Sequence, residues 1–136
     1  MIERINPAEL ARPSGFSHAV IADGMRMVAL AGQTAVDIDG HIVGDGIVAQ
    51  FRQALSNVLV ALNAAGGSPA DLVSMTIYLT DLVDYQNNGR QIGAVWTELV
   101  GSNYPAMAGL EVSRLWDPAA LVELQAWAAL EVTMAS

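Results

Sequence analysis

Cysteine and lysine are both missing from this 136-residue chain, and histidine occurs only twice. Without cysteine there is no disulfide, no thiolate nucleophile, no thiolate-bound zinc and no iron–sulfur cluster. Without lysine there is no Schiff-base amine and no phosphate-loop lysine. Positive charge is scarce as well: the six basic residues are all arginine, set against 14 acidic ones, for a formal charge of −8. A surface of that sign repels phosphates, so no nucleic-acid partner is expected. His18 and His41 stand at no metal-ligand spacing, and neither a metal nor a cofactor is expected. No apolar run approaches the ~18 residues that span a membrane, and the opening MIERINPAEL has no apolar signal core. The expectation is a cytoplasmic protein with no membrane partner.

What is present is apolar. Hydrophobic residues make up 53% of the chain and charged residues 15%, with a mean hydropathy of +0.37. The length suits one domain, 1–136, by the usual prior of roughly 100–200 residues per domain. A domain this small buries only about 68–70% of its unfolded surface. So large an apolar share therefore implies that another subunit covers part of it, and an obligate oligomer is expected.

Local patterning orders the elements. Ser17–Ala22 and Met25–Gln33 flank Asp23-Gly24, a turn dipeptide that predicts a hairpin. Gly44-Asp45-Gly46 lacks the spacing of a phosphate cradle and reads as a turn. Ile47, Phe51, Leu55, Val58 and Leu62 recur at helical spacing and predict a helix from about Ile47 to Ala65, stopped by Gly66-Gly67. Ser68-Pro69-Ala70-Asp71 reads as a capped turn leading into a strand, Leu72–Thr80, which alternates apolar and polar residues. A second helix, roughly Val83–Val100, carries Ile92, Val95, Trp96 and Leu99 on one stripe. Asn103-Tyr104-Pro105 cannot continue it, and two strands remain, Ala106–Ser113 and Leu121–Val132. The order is ββαβαββ, an α+β layer with helices on one face of a largely antiparallel sheet. The other face is left for subunit packing.

Glu123 is the most informative ionisable residue. A carboxylate between Val122 and Leu124 must reach solvent in a cleft or hold its proton unusually tightly, and either state suits a general acid or base. The alternative is that Glu123 and Gln125 mark the wet side of a one-sided sheet. Trp127 shares that side.

Several segments carry a resemblance along nearly the whole chain: Pro13 to Val20 (PSGFSHAV), Ala29-Leu30-Ala31-Gly32-Gln33, Phe51 to Val58 (FRQALSNV), Tyr78 to Tyr85 (YLTDLVDY), Tyr104-Pro105-Ala106, Glu111-Val112-Ser113-Arg114-Leu115 and Ala120 to Ala126 (ALVELQA). In this order they resemble the reactive intermediate deaminase family, the Rid, RidA-like, YjgF or L-PSP endoribonuclease type. The resemblance implies a chorismate-mutase-like fold assembled as a trimeric barrel, a homotrimer with a small-molecule cleft between each pair of subunits. It also implies hydrolysis of imines of the 2-aminoacrylate type, in which an Arg after the Pro-Ala pair grips the substrate carboxylate and a Glu on the last strand positions water. Glu123 fills the second role.

The first position is Met107. Phe16 stands where a Tyr is usual, Ala31 precedes Gly32 where a Ser is usual, and the Asn expected early in the second helix is Gly89, with Asn88 adjacent. These changes remove hydrogen-bonding groups, so the resemblance to a 2-imino-acid deaminase is tempered at its anion-binding end. Arg90 lies near enough to be considered as a substitute; Arg114 already belongs to the family pattern. The expected cleft is lined by Phe16, Ala31, Gly32, Asn88, Met107 and Gly109, with catalytic Glu123 as its polar handle, and takes an uncharged imine or enamine. A non-catalytic ligand sensor or partner-binding scaffold is the alternative. The ribonuclease reading lacks paired histidines and cationic help for phosphate.

Overall fold

A computed structural model describes residues 1–132, so the last four positions of the expected 1–136 unit lie outside the described residues. Helix α1, Gly46–Ala64, forms where the helical spacing places it and buries Ile47, Phe51, Leu55, Val58 and Leu62. It ends in two backbone bonds, Gly66 N–H to the Asn63 carbonyl at 3.0 Å and Gly67 N–H to the Leu62 carbonyl at 2.9 Å. That pairing needs a left-handed residue, and Gly66 supplies it at φ 95. The next turn is held by the Asp71 carboxylate, which accepts the Ser68 N–H at 2.8 Å, and opens into a strand at Leu72.

Six strands are present among the described residues: β1 Ile2–Ile5, β2 Ala19–Ala22, β3 Arg26–Gln33, β4 Leu72–Leu79, β5 Ala106–Glu111 and β6 Val122–Leu130. The main sheet runs β3-β6-β4-β5. Strand β6 is antiparallel to both neighbours, whereas β4 and β5 are parallel. The expected hairpin across Asp23-Gly24 does not form. Gly24 turns the chain at φ 64, but β2 pairs with β1 in a separate two-stranded ribbon, Ile2 opposite Ala22. The ribbon is tied down from β1, where the Arg4 guanidinium donates to the carbonyls of Tyr104 and Ala70 at 3.3 and 3.0 Å.

The expected second helix is two. Helix α2, Leu82–Asn87, begins at Asp81, whose carboxylate accepts the Asp84 N–H at 3.0 Å. Asn88 then leaves helical geometry (φ −106, ψ 17), and α3, Gly89–Leu99, starts afresh. The Asn88 side chain turns back to donate to the Asp84 carbonyl at 2.8 Å, which competes with a continuous helix.

Register fixes the two faces of the sheet. Met75, Ile77, Leu79, Val122, Leu124 and Ala126 are buried in the core with residues of α1 and α3. The intervening residues point the other way, and there Met27, Trp127 and Leu110 remain 53%, 47% and 40% exposed. The last strand is located by Gln50, a buried residue of α1. Its amide donates to the Ala119 carbonyl at 3.1 Å and accepts the Leu121 N–H at 2.9 Å. Gln50→Ala leaves both groups unpaired and is expected to cost about 1–3 kcal/mol. The check is a lowered urea midpoint with an unchanged slope.

Candidate functional site

Glu123 stands opposite Tyr78 in the β4/β6 pairing and is partly exposed on the helix-free face. The register of β3 against β6 shifts between Leu30 and Gln33, placing Ala31 and Gly32 in an irregular stretch. A Cβ built on Gly32 would lie 2.9 Å from the Glu123 Cδ and 3.1 Å from Oε1. Glycine is thus what lets the carboxylate fold over β3. The segment beyond is pinned by Asn57 of α1, whose amide donates to the carbonyls of Thr34 and Val36 at 3.1 and 2.8 Å.

Met107 faces the opposite way. It pairs with Met75 on β4, packs against the core, and forms part of a cavity of about 500 Å³ bounded by β5, α2, α3 and the 14–16 loop. Phe16, Tyr85, Ile92, Trp96 and Gly109 share that wall. The loop bearing Phe16 is fixed beside β5 by Ser17, whose N–H donates to the Pro105 carbonyl at 2.9 Å and whose hydroxyl donates to the Tyr104 carbonyl at 2.7 Å. Trp96 stacks on Tyr104 with centroids 5.9 Å apart, and Tyr85 meets Phe51 edge-on at 6.1 Å.

Among the described residues no carboxylate and no guanidinium lines this cavity. Its ionisable groups are phenols, and burial pushes the Tyr85 pKa above the usual phenol value. The indole N–H of Trp96 is buried without a partner. Neither Arg90 nor Arg114 is part of the lining, and both are exposed. Among the described residues no cluster of three or more His, Asp or Glu could hold a metal, and no helix is long and apolar enough to cross a membrane.

The residues singled out in the sequence therefore fall into two groups. Phe16, Met107 and Gly109 come together at the cavity, with Asn88 beside it but engaged by Asp84. Gly32 and Glu123 come together across the sheet, with Ala31 next to Gly32 in the same irregular stretch. Within one chain the sheet stands between them. Tyr85 was not anticipated: it follows Leu82 by three residues, a spacing that reads as ordinary packing. Trp96 was anticipated as core, and it is buried, yet it also belongs to the cavity wall.

Residues 7–130 match the family model described as Endoribonuclease L-PSP. A RutC family protein of Pyrococcus horikoshii is 35% identical over 128 residues, covering 93% of this chain and 96% of that one. The 2-iminobutanoate/2-iminopropanoate deaminase of Salmonella typhimurium is 36% identical over 89 residues, 65% of this chain and 69% of that one. A Yersinia pestis protein described as a member of the conserved Rid family superposes with a TM-score of 0.85 at 33% identity, covering 95% and 98% of the two chains.

Proposed function

This chain belongs to the endoribonuclease L-PSP, or Rid/YjgF, family, and from that premise we propose that it binds a small uncharged molecule in clefts between the subunits of a homotrimer and hydrolyses an uncharged imine or enamine there. The observation that carries this reading is the wall around Met107, which offers no cation. An anion entering it would shed hydration and meet no cation in return, only neutral donors, whereas an uncharged ligand gives up far less. We place the single unit, 1–136, in the cytoplasm.

The same geometry supports assembly. Glu123 lies on the far side of the sheet from Met107, so a carboxylate reaches a ligand at that cavity only when a second copy delivers it. The apolar residues exposed on the helix-free face, Met27, Trp127 and Leu110, give such a copy a surface to bury. In the assembled cleft Glu123 takes a proton from water as the oxygen bonds to the C=N carbon and the C=N electron pair moves to nitrogen, and Glu123 then passes that proton to the nitrogen to give the neutral carbinolamine. Glu123 next takes the carbinolamine hydroxyl proton as the C–O bond becomes C=O and the C–N bond breaks, and delivers it to the departing nitrogen, so that a carbonyl compound and ammonia leave. An enamine first gains a proton at carbon to become the imine.

A second reading, a ligand sensor without turnover, is favoured by the absence of any acid or base stronger than a phenol on the cavity wall of one chain. The two are separated by incubating the protein with an uncharged imine generated in place from benzylamine by an added flavin amine oxidase and O₂ and, separately, with 2-iminopropionate. The expected result is carbonyl release above buffer for the first and close to buffer for the second. Full-strength hydrolysis of 2-iminopropionate overturns the uncharged-substrate reading. Stabilisation by an uncharged ligand without turnover of either imine establishes the sensor instead. A particle that sediments as a monomer removes the cleft altogether.

A further inference from the structure

Tyr85 and Tyr104 are the phenols on the cavity wall, and burial raises the pKa of Tyr85. It lies on α2, in the wall shared with Met107 and Trp96, and its ring is held edge-on against Phe51 at an interplanar angle of 62°. Tyr78, on the opposite face, donates its hydroxyl to Gln125 at 3.2 Å, but among the described residues the Tyr85 hydroxyl has no such partner. The Tyr85 hydroxyl is not sealed from solvent, so an acceptor on a guest in the cavity can take the place of water on its donor. The Trp96 indole N–H, in the same wall, is buried and without a partner among the described residues, a costly state that an acceptor in the cavity relieves. The volume of about 500 Å³ falls in the range of small-molecule sites.

We propose that Tyr85 is the specificity-determining donor of this cavity, giving its hydroxyl hydrogen to the C=O or C=N acceptor of an uncharged ligand. The inference rests on the reading that the cavity takes an uncharged molecule, and adds which uncharged molecules it prefers. Because burial raises the Tyr85 pKa, the phenol keeps its proton at and above neutral pH and remains a donor throughout that range. A hydrocarbon of the same shape fills the same space and leaves the hydroxyl unanswered.

The test uses the full chain and three probes of nearly equal shape: acetophenone, α-methylstyrene, which replaces C=O by C=CH₂, and benzoate. Dissociation constants are measured by calorimetry for the wild type and for Tyr85→Phe, which keeps the ring and its contact with Phe51. The substitution is expected to weaken acetophenone roughly 3–10-fold, the scale of one net hydrogen bond, and to leave α-methylstyrene within about twofold, with the melting temperature unchanged. Equal weakening of both probes, or of neither, overturns the role of the hydroxyl while leaving the uncharged-ligand reading in place. Tighter binding of benzoate than of either neutral probe overturns that reading, and the inference with it. Binding of no neutral probe has the same consequence.

Discussion

Replacing Met107 by arginine is expected to raise kcat/KM for 2-iminopropionate about 10- to 100-fold, read as pyruvate released above buffer. The magnitude follows from a charge-assisted hydrogen bond, about 1.5–3 kcal/mol, and the placement from register. Met107 lies opposite Met75, on the side of β5 that faces the cavity, so a side chain built there is already aimed at the ligand. A guanidinium presents two parallel donors to a planar carboxylate, a geometry no other side chain reproduces. The same substitution buries a cation among Phe16, Ile92 and Trp96, and affinity for acetophenone should fall as the carboxylate preference rises. An arginine variant no faster than the wild type would mean that substrate anions are not read at this position.

Changing Glu123 to Gln is expected to reduce turnover of the uncharged imine by about 10²–10⁴-fold, the usual contribution of a positioned acid–base group. The amide has the shape of the acid but cannot take up the proton that water must release. Glu123 is partly exposed and makes no contact with the helix side of the sheet, so the melting temperature should barely move. The separation of kcat from stability is the diagnostic. A rate unaltered by the substitution removes Glu123 from the chemistry.

Much of the architecture is legible in the sequence because its elements are periodic. Helix α1 lies within one residue of the span its apolar stripe predicts, and β4 runs Leu72–Leu79 where strict alternation places a strand. The missing pieces lack that signal. Strand β1 is four residues long with Glu3 and Arg4 at its centre, too short and too polar to declare itself. Its existence decides the fate of β2, which pairs with it instead of folding back on β3. The break at Asn88 depends on a side-chain bond to Asp84, a local choice that the apolar stripe running through Ile92 and Trp96 conceals. The site was harder still. Resemblance places Met107 and Glu123 in one cleft, and only register reveals that a single chain holds them back to back. Tyr85 escaped notice because a phenol at helical spacing looks like any packed aromatic ring until the cavity beside it is seen.

The sheet that separates Met107 from Glu123 also separates two kinds of change that a lineage can accumulate. In the proposed cleft, residues on the helix side choose the guest, whereas the β3 irregularity and Glu123 on the reverse set what becomes of it. Altering one set need not disturb the backbone positions of the other, since they meet only through strands whose pairing is indifferent to either. A scaffold divided in this way can acquire new tastes while keeping its old skill, or surrender the skill and persist as a receptor.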